Sequence, residues 1–324
     1  MLNKLRILIA SPASAASNNG NWQTAQRWAH FLEPQYHVEI TRGWDHASNP
    51  PDLLIALHAR RSADSVAACA AAGRPCILVL TGTDLYRDIR HDDHARRSLQ
   101  LAQHLVLLQE AGLAELPDEL HARSRVIYQS ASALPPLPAS DGSLSVVMIG
   151  HLRAEKDPTN FMRAARLASA PGLRFLQVGG ALEEALAQQA RLTEADCPAY
   201  RWLGNLPHAD TRELLRRSQL LVVPSLMEGG ANVIIEAVTS GVPVLASDIA
   251  GNRGMLGAGY GGYFPVGDAA ALARLIGRFA TDAGFAQQLR AECARRAPLF
   301  APEHEQAALL RLVDNALTSH RTSS

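Results

Sequence analysis

Residues 222–247 read VVPSLMEGGANVIIEAVTSGVPVLAS. An apolar run closes at Pro224 and a glycine-bearing loop follows. Val233, Ile234, Ala237 and Val238 then recur at helical spacing until Gly241 and Pro243 stop the helix. Val244–Ala246 opens a second apolar run, so the stretch is strand, loop, helix, strand, the unit from which parallel sheets are built. The same grammar extends outward. Short aliphatic runs at Ile7–Ala10, Leu53–Leu57, Ile77–Leu80, Leu105–Leu108, Val146–Ile149, Phe175–Val178 and Leu221–Val223 alternate with longer helical patterns. Such continuous apolar runs belong to strands covered on both faces. Trp22, Ala25, Ala29 and Leu32 mark a helix after the first run, and Pro158, Phe161, Ala164, Ala165 and Ala168 mark one after the fifth. The expected fold is α/β, two doubly wound parallel-sheet domains with a cleft between them.

Length supports two domains, because 324 residues exceed what one hydrophobic core usually organises. The proline-rich LPPLPAS (134–140) forbids helix or central strand, and it places the boundary between residues 136 and 137. The expected domains are 1–136 and 137–324, with the last helix, over 300–318, free to pack back on the N-terminal domain. Lys plus Arg and Asp plus Glu balance at 31 each, which disfavours a nucleic-acid partner, whose footprint needs a basic surplus. Four scattered cysteines without a CxxC pair indicate neither a zinc site nor a disulfide framework, so they read as the reduced thiols of a cytoplasmic protein. The N-terminus imitates a signal peptide, but only Ile7–Ala10 is uninterrupted after Arg6, too short for a signal core and suited to a first buried strand. No stretch approaches the ~20 apolar residues of a membrane span.

In doubly wound sheets ligands bind beyond the carboxyl ends of the strands, so the loops there carry the functional signal. In residues 222–247 the backbone N–H groups of Gly229, Gly230, Ala231, Asn232 and Val233 converge where the helix begins, a natural phosphate site. Glu228 and Glu236 bracket it. Carboxylates beside a diphosphate make electrostatic sense only when they face hydroxyls, and a nucleotide sugar offers hydroxyls on both sides of its diphosphate. The cations that balance the charge are expected on the loop after Val146–Ile149, where GHLRAEKDP supplies His151, Arg153 and Lys156.

Glu228 and Glu236, with seven residues between them, match the E-x7-E motif, and on this and the following SGVPVLASDIAGNRG the chain resembles the family-4-type glycosyltransferases of the GT-B fold. The resemblance spans the second domain, including YRWLGNLPHADTRELLRRSQLLVVPS (200–225), whose Leu203-Gly204 turn borders the nucleotide base in that family. It departs at one place: the family commonly has Arg after the glycine of G-R-L-x-x-x-K, whereas His151 follows Gly150 here. Lys156 is retained, and either His151 or Arg153 takes over the guanidinium contact. The resemblance makes the second domain the nucleotide-sugar domain and the first the acceptor domain.

In the first domain GNWQTAQRWA (20–29), LIALHARRSA (54–63), LTGTDLYRDI (80–89) and VIYQSA (126–131), taken with MEGGANV (227–233), resemble the selenosugar synthases of selenoneine biosynthesis. That resemblance implies transfer of the hexose of UDP-N-acetylglucosamine or UDP-glucose to selenophosphate, and other enzymes of the same pathway as partners. The acceptor residues it points to are Gly20, Asn21, His58, Arg60, Arg61, Thr83 and Arg87, small or cationic groups at strand-end loops that suit a small charged anion. The candidate catalytic groups are Glu228, Lys156, Arg60 and Asp84. Selenophosphate is already an anionic nucleophile, so no base is required to deprotonate a hydroxyl. Transfer to a hydroxyl acceptor and non-catalytic binding of a UDP-sugar remain the competing readings.

Each assignment has a structural alternative: Lys156 as a solvated lysine, Arg60 and Arg61 as a helix-flanking pair, Asp84 as a helix cap. HDDH (91–94) has ligand-like spacing but sits among arginines and reads as a solvated helix face. GAGYGG (257–262) matches GxGxxG without the strand and helix that dinucleotide binding demands. With no DxD motif in a suitable loop, neither metal nor cofactor is expected.

Overall fold

Two all-parallel sheets organise the chain, and the first buries side chains on both of its faces. The computed structural model describes residues 4–13, 20–45, 49–137 and 143–323. They fall into two units, Met1–Gln129 with Pro302–Ser324, and Ser130–Ala301.

The first unit contains β1 (Arg6–Ala10), β2 (His37–Thr41), β3 (Leu53–Leu57), β4 (Cys76–Leu80), β5 (His104–Leu107) and β6 (Ser124–Val126), in the order β2-β1-β3-β4-β5-β6. Successive side chains on a strand point to opposite faces. Ile7, Ile9, Ile55 and Val79 therefore pack with Trp28 and Leu32 of the helix Gly20–Leu32 and with Leu309 and Val313 of the helix Pro302–Ser323. Leu8, Leu54 and Leu78 pack on the other face with Val66 and Leu99, from the helices Ala63–Ala71 and Asp93–Leu101. The C-terminal helix is fixed to this unit by Glu305, whose buried carboxylate takes hydrogen bonds from Arg27 Nε (2.7 Å) and Trp28 Nε1 (2.7 Å).

The second unit contains β7 (Leu144–Ile149), β8 (Leu173–Val178), β9 (Tyr200–Trp202), β10 (Leu220–Val223), β11 (Val244–Ser247) and β12 (Tyr263–Phe264), in the order β12-β11-β10-β7-β8-β9. In each sheet the chain builds outward to one side and then crosses to the other. The crossover lies between β1 and β3 in the first unit and between β7 and β10 in the second. Carboxyl-end loops diverge at such a point and leave a crevice for a ligand.

The eight runs read as strands are all strands. Four more strands, β2, β6, β9 and β12, carry no such run, and each is a sheet edge. The unit boundary lies between Gln129 and Ser130, seven residues before the proline-based division at 136 and 137. The cause is hydrogen bonding. Ala131 N–H donates to Phe300 O, Arg212 to Ser132 O and Leu137 N–H to Arg216 O, so this stretch is held by the second unit although its prolines bar it from helix and sheet. Residues 138–140 of LPPLPAS lie outside the described residues. Among the described residues no helix is long and apolar enough to cross a membrane.

Candidate active site at the strand crossovers

The second unit's crossover carries the densest chemistry. At the ends of β7 and β8 the backbones meet so closely that a Cβ on Gly179 would stand 2.0 Å from Gly150 O. Gly180 N–H donates to His151 Nδ1 (3.2 Å), which puts the ring proton on Nε2 and fixes the imidazole as a donor on its other edge. The chain turns at Ala154–Lys156, where Arg153 O accepts the Lys156 N–H (3.0 Å). Asp157, left-handed at φ 43°, caps the helix Pro158–Leu167.

On the β10 side Pro224 ends the strand, and Ser225 Oγ donates to Glu228 Oε1 at 2.6 Å. Ser225 O accepts from Ser247 Oγ at the end of β11, and Ser247 O accepts from Asn252 Nδ2 (2.9 Å). The helix Ala250–Leu256 passes so near that a Cβ on Gly251 would lie 2.0 Å from Glu228 O. Two contacts join the β7 and β10 loops: Leu226 N–H donates to Glu155 O (2.9 Å), and Lys156 Nζ donates to the same Oε1 of Glu228 that Ser225 holds. The side chains of this ion pair are only 19% and 9% exposed, so its attraction is less screened than that of a surface pair.

Beyond Glu228, Gly229 and Gly230 lead to Ala231, the N-cap of the helix Asn232–Thr239. Alanine has no oxygen with which to cap, so the first-turn N–H groups, including those of Asn232 and Val233, receive no side-chain partner from it. Val233 is half-buried, and Ile235 joins Ile234, Ala237 and Val238 on the buried face. Glu236, one turn in, accepts from His208 Nε2 at 2.7 Å, and Arg212 Nη1 lies 3.9 Å away. Gly204 makes its turn at φ 69° and accepts Gly179 N–H (2.8 Å), beside Leu203, which is 39% exposed. Lys156 and Glu228 are thus in direct contact, while Glu236 sits in its own cluster with His208 and Arg212.

In the first unit the loops after β3 and β4 meet. His58 is buried and left-handed (φ 77°). Its Nδ1 accepts from Arg61 N–H (3.3 Å), so Nε2 carries the proton and donates to Thr83 Oγ1 (3.0 Å). Burial pushes this histidine below its ordinary range, against the opposing pull of Asp84 and Asp88. Arg60 Nε lies 3.0 Å from Asp88 Oδ2, and Arg87 Nε donates to Asp88 Oδ1 (3.1 Å). Asp84 is engaged through both carboxylate oxygens. It is fully buried and accepts from the backbone N–H groups of Ala59 (2.9 Å), Thr81 (2.9 Å) and Gly82 (2.8 Å), a latch that holds the two loops together. Gly20 and Asn21 open the helix Gly20–Leu32, and residues 14–19 before it, including Asn18 and Asn19, lie outside the described residues.

HDDH lies at a helix start, where Asp92 caps Asp93–Leu101 by accepting Ala95 N–H (2.9 Å). GAGYGG is the loop between the helix Ala250–Leu256 and β12. Several site residues have no role that the sequence assigns to them. Ser225, Gly179, Gly251, His208, Arg212 and Asp88 act on named neighbours only once strands distant in sequence adjoin. Gly251 left one trace, a glycine inside a helix, where it ordinarily costs about 0.5–1 kcal/mol relative to alanine.

Against known proteins, the family described as glycosyl transferases group 1 matches residues 134–299. The chain is 30% identical over 211 residues to a D-inositol 3-phosphate glycosyltransferase of Rhodococcus erythropolis, covering 60% of this chain and 46% of that protein. It is 25% identical over 279 residues to glycosyltransferase 1 domain-containing protein 1 of Xenopus tropicalis, covering 75% of this chain and 79% of that protein. The chain spans about half the length of the D-inositol 3-phosphate glycosyltransferases it matches. Among solved structures, sucrose-phosphate synthase from Thermosynechococcus elongatus superposes with a TM-score of 0.78 at 16% identity, over 98% of this chain and 100% of that one. Anabaena HepE in complex with UDP and glucose gives 0.73 at 16% identity, over 97% and 100%. These likenesses establish the two-domain GT-B fold.

Proposed function

We propose, because this chain belongs to the family of glycosyl transferases group 1, that it moves the hexose of a UDP-sugar, UDP-N-acetylglucosamine or UDP-glucose, onto selenophosphate. The observation that carries the donor half is the Lys156–Glu228 contact beside a helix N-terminus whose cap has no side-chain oxygen, at the crossover of β7 and β10. That arrangement offers a diphosphate unpaired N–H donors and one ammonium, with a carboxylate already set next to the ammonium. HepE, of the same fold, is described with UDP and glucose.

In the reaction the bond between the anomeric carbon and the diphosphate oxygen breaks and its electron pair leaves with UDP. Lys156 faces the charge that grows there. Gly229–Val233 hold the diphosphate through their backbone, Glu228 orients the hexose, and His151 or Arg153 completes the clamp. A selenium lone pair forms the new bond to carbon. Water then hydrolyses the Se–P bond, releasing phosphate and a 1-selenosugar. The first-unit loops with His58, Arg60, Arg61, Thr83 and Arg87 receive the acceptor, with the Gly20-Asn21 helix start as a further anion contact.

Glu236 is assigned to the ribose, whose hydroxyls replace His208 on its carboxylate. Glu236→Ala should weaken UDP binding in calorimetry by about tenfold, because two hydroxyl hydrogen bonds are worth about 1–2 kcal/mol together. Turnover at saturating donor should change little, since the ribose contact is the same in ground and transition states. Unchanged UDP affinity would remove Glu236 from this role. Lys156 and the helix N-terminus neutralise the diphosphate without a metal, so a chelator should leave turnover unchanged; loss of activity that magnesium restores would contradict this.

The reaction is tested by mass spectrometry of the products after mixing the protein with UDP-hexoses and selenophosphate. A selenosugar with stoichiometric UDP supports it. UDP release that is indifferent to selenophosphate but requires a hydroxyl acceptor would replace it with ordinary glycosyl transfer. UDP-sugar binding without UDP release under any condition would leave only a binding protein.

A further inference from the structure

Asp88 lies within LTGTDLYRDI (80–89) without a role of its own there, yet it contacts arginines of both first-unit loops. It lies at the end of the wide turn Asp84–Asp88, 5% exposed, with Arg87 Nε on Oδ1 at 3.1 Å. Its Oδ2 is buried without a hydrogen-bond partner: Arg60 Nε stands 3.0 Å away but is not aligned to donate, and His58 Nε2, already given to Thr83, is 3.8 Å away. An ionised oxygen left unsatisfied in the interior is costly, and native structures that retain one generally use it. His58 and Thr83 carry no charge that answers it. The two arginines do, and their side chains are 43% and 46% exposed.

We propose that Asp88 is a positioning residue for a phosphoryl-type dianion: its ion pair with Arg60 and the hydrogen bond it accepts from Arg87 Nε hold the two arginines at the ends of β3 and β4, where Arg60 meets the anion through Nη. Thr83 supplies a third donor. Its oxygen accepts the His58 Nε2–H, which leaves its own proton to donate. Rotating the Arg60 guanidinium to engage an anion through Nη aligns its Nε–H on Oδ2, so ligand binding and relief of the buried oxygen are one motion. The Asp84 latch keeps the β3 and β4 loops in register for this. The inference rests on the reading of these loops as the acceptor site and adds to it the residue that organises recognition of the anion.

Asp88→Asn makes the test sharp because positioning and plain electrostatics give opposite signs. If Asp88 is only a negative charge near an anion site, removing it tightens anion binding. If it positions the arginines, removing it loosens binding. Calorimetry with inorganic phosphate, alongside selenophosphate KM, should show Asp88→Asn weaker by about tenfold or more, the worth of a charge-assisted hydrogen bond. UDP affinity and kcat at saturating selenophosphate should stay near wild type, and Asp88→Glu should recover part of the loss. Arg60→Gln, a change at a partly exposed position, should give a similar loss. The double variant should lose less than the two single losses combined, because Asp88 acts in part through Arg60. A hexose 6-phosphate titrated in parallel tells a phosphomonoester from a free anion, and tighter binding of either by wild type than by Asp88→Asn supports the proposal. Equal or tighter phosphate binding by Asp88→Asn, additive losses in the double variant, or no phosphate binding by wild type would overturn it. If phosphate binding behaves as expected while no selenosugar forms, the site stands and the selenophosphate reaction falls.

Discussion

Lys156→Met should lower turnover with a UDP-sugar by about 100- to 1,000-fold, the effect of deleting one well-placed donor to developing charge, about 2.7–4 kcal/mol. The expectation rests on where Lys156 is held. Its ammonium is tied to Glu228, which is fixed in turn by Ser225, so the charge stays at the β7–β10 crossover and is not swept through solvent. Methionine keeps the apolar stem that runs beside Gly150, so packing is largely retained while the charge is lost. Thermal stability should therefore change far less than turnover. Steady-state kinetics and a melting curve on one preparation separate the two. Turnover within threefold of wild type would remove Lys156 from the reaction; an equal collapse of both would make it structural.

The second large effect is expected from a single methyl group. Gly251→Ala places a carbon where Glu228 O stands 2.0 Å away, and the obstacle is backbone, which cannot swing aside as a side chain does. Either the helix Ala250–Leu256 or the Glu228 loop must shift. Overpacking of this kind costs about 1–3 kcal/mol of stability, and a displacement of about 1 Å in a reacting group costs about 100-fold in rate. Gly277→Ala is the matched control. Gly277 lies within the helix Ala269–Thr281 with nothing within 4 Å of its added Cβ, so alanine there should stabilise by about 0.5–1 kcal/mol. If Gly251→Ala melts and turns over like wild type, the close approach does not position Glu228.

What the sequence revealed follows from which interactions are local. Eight central strands are mainly apolar, as strands covered on both faces are, and runs such as Leu53–Leu57 announce themselves. The edge strand β2, HVEIT, has neighbours on one side only and tolerates His37 and Glu39, which erases the signal. The domain boundary was displaced for a related reason. Prolines report what the backbone cannot do, whereas Arg212 reaching Ser132 decides to which unit the segment belongs. In the site, Glu228 and Glu236 are legible because one loop and one helix carry both. Asp84 reads as catalytic or as a cap from its type and its place at a strand end, and only the three converging N–H groups reveal a latch. Asp88, Ser225 and Gly251 gain their meaning from partners on other strands or loops.

A crystal structure of the protein with UDP is the most direct measurement of the central claim, that the β7–β10 crossover holds a nucleoside diphosphate. The expected result places the diphosphate against the backbone N–H groups of Gly229–Val233 with Lys156 Nζ on a phosphate oxygen, and the ribose hydroxyls on Glu236 in place of His208. Density for UDP at any other location, or a diphosphate bound with Lys156 still closed on Glu228 and turned away from it, would contradict the account.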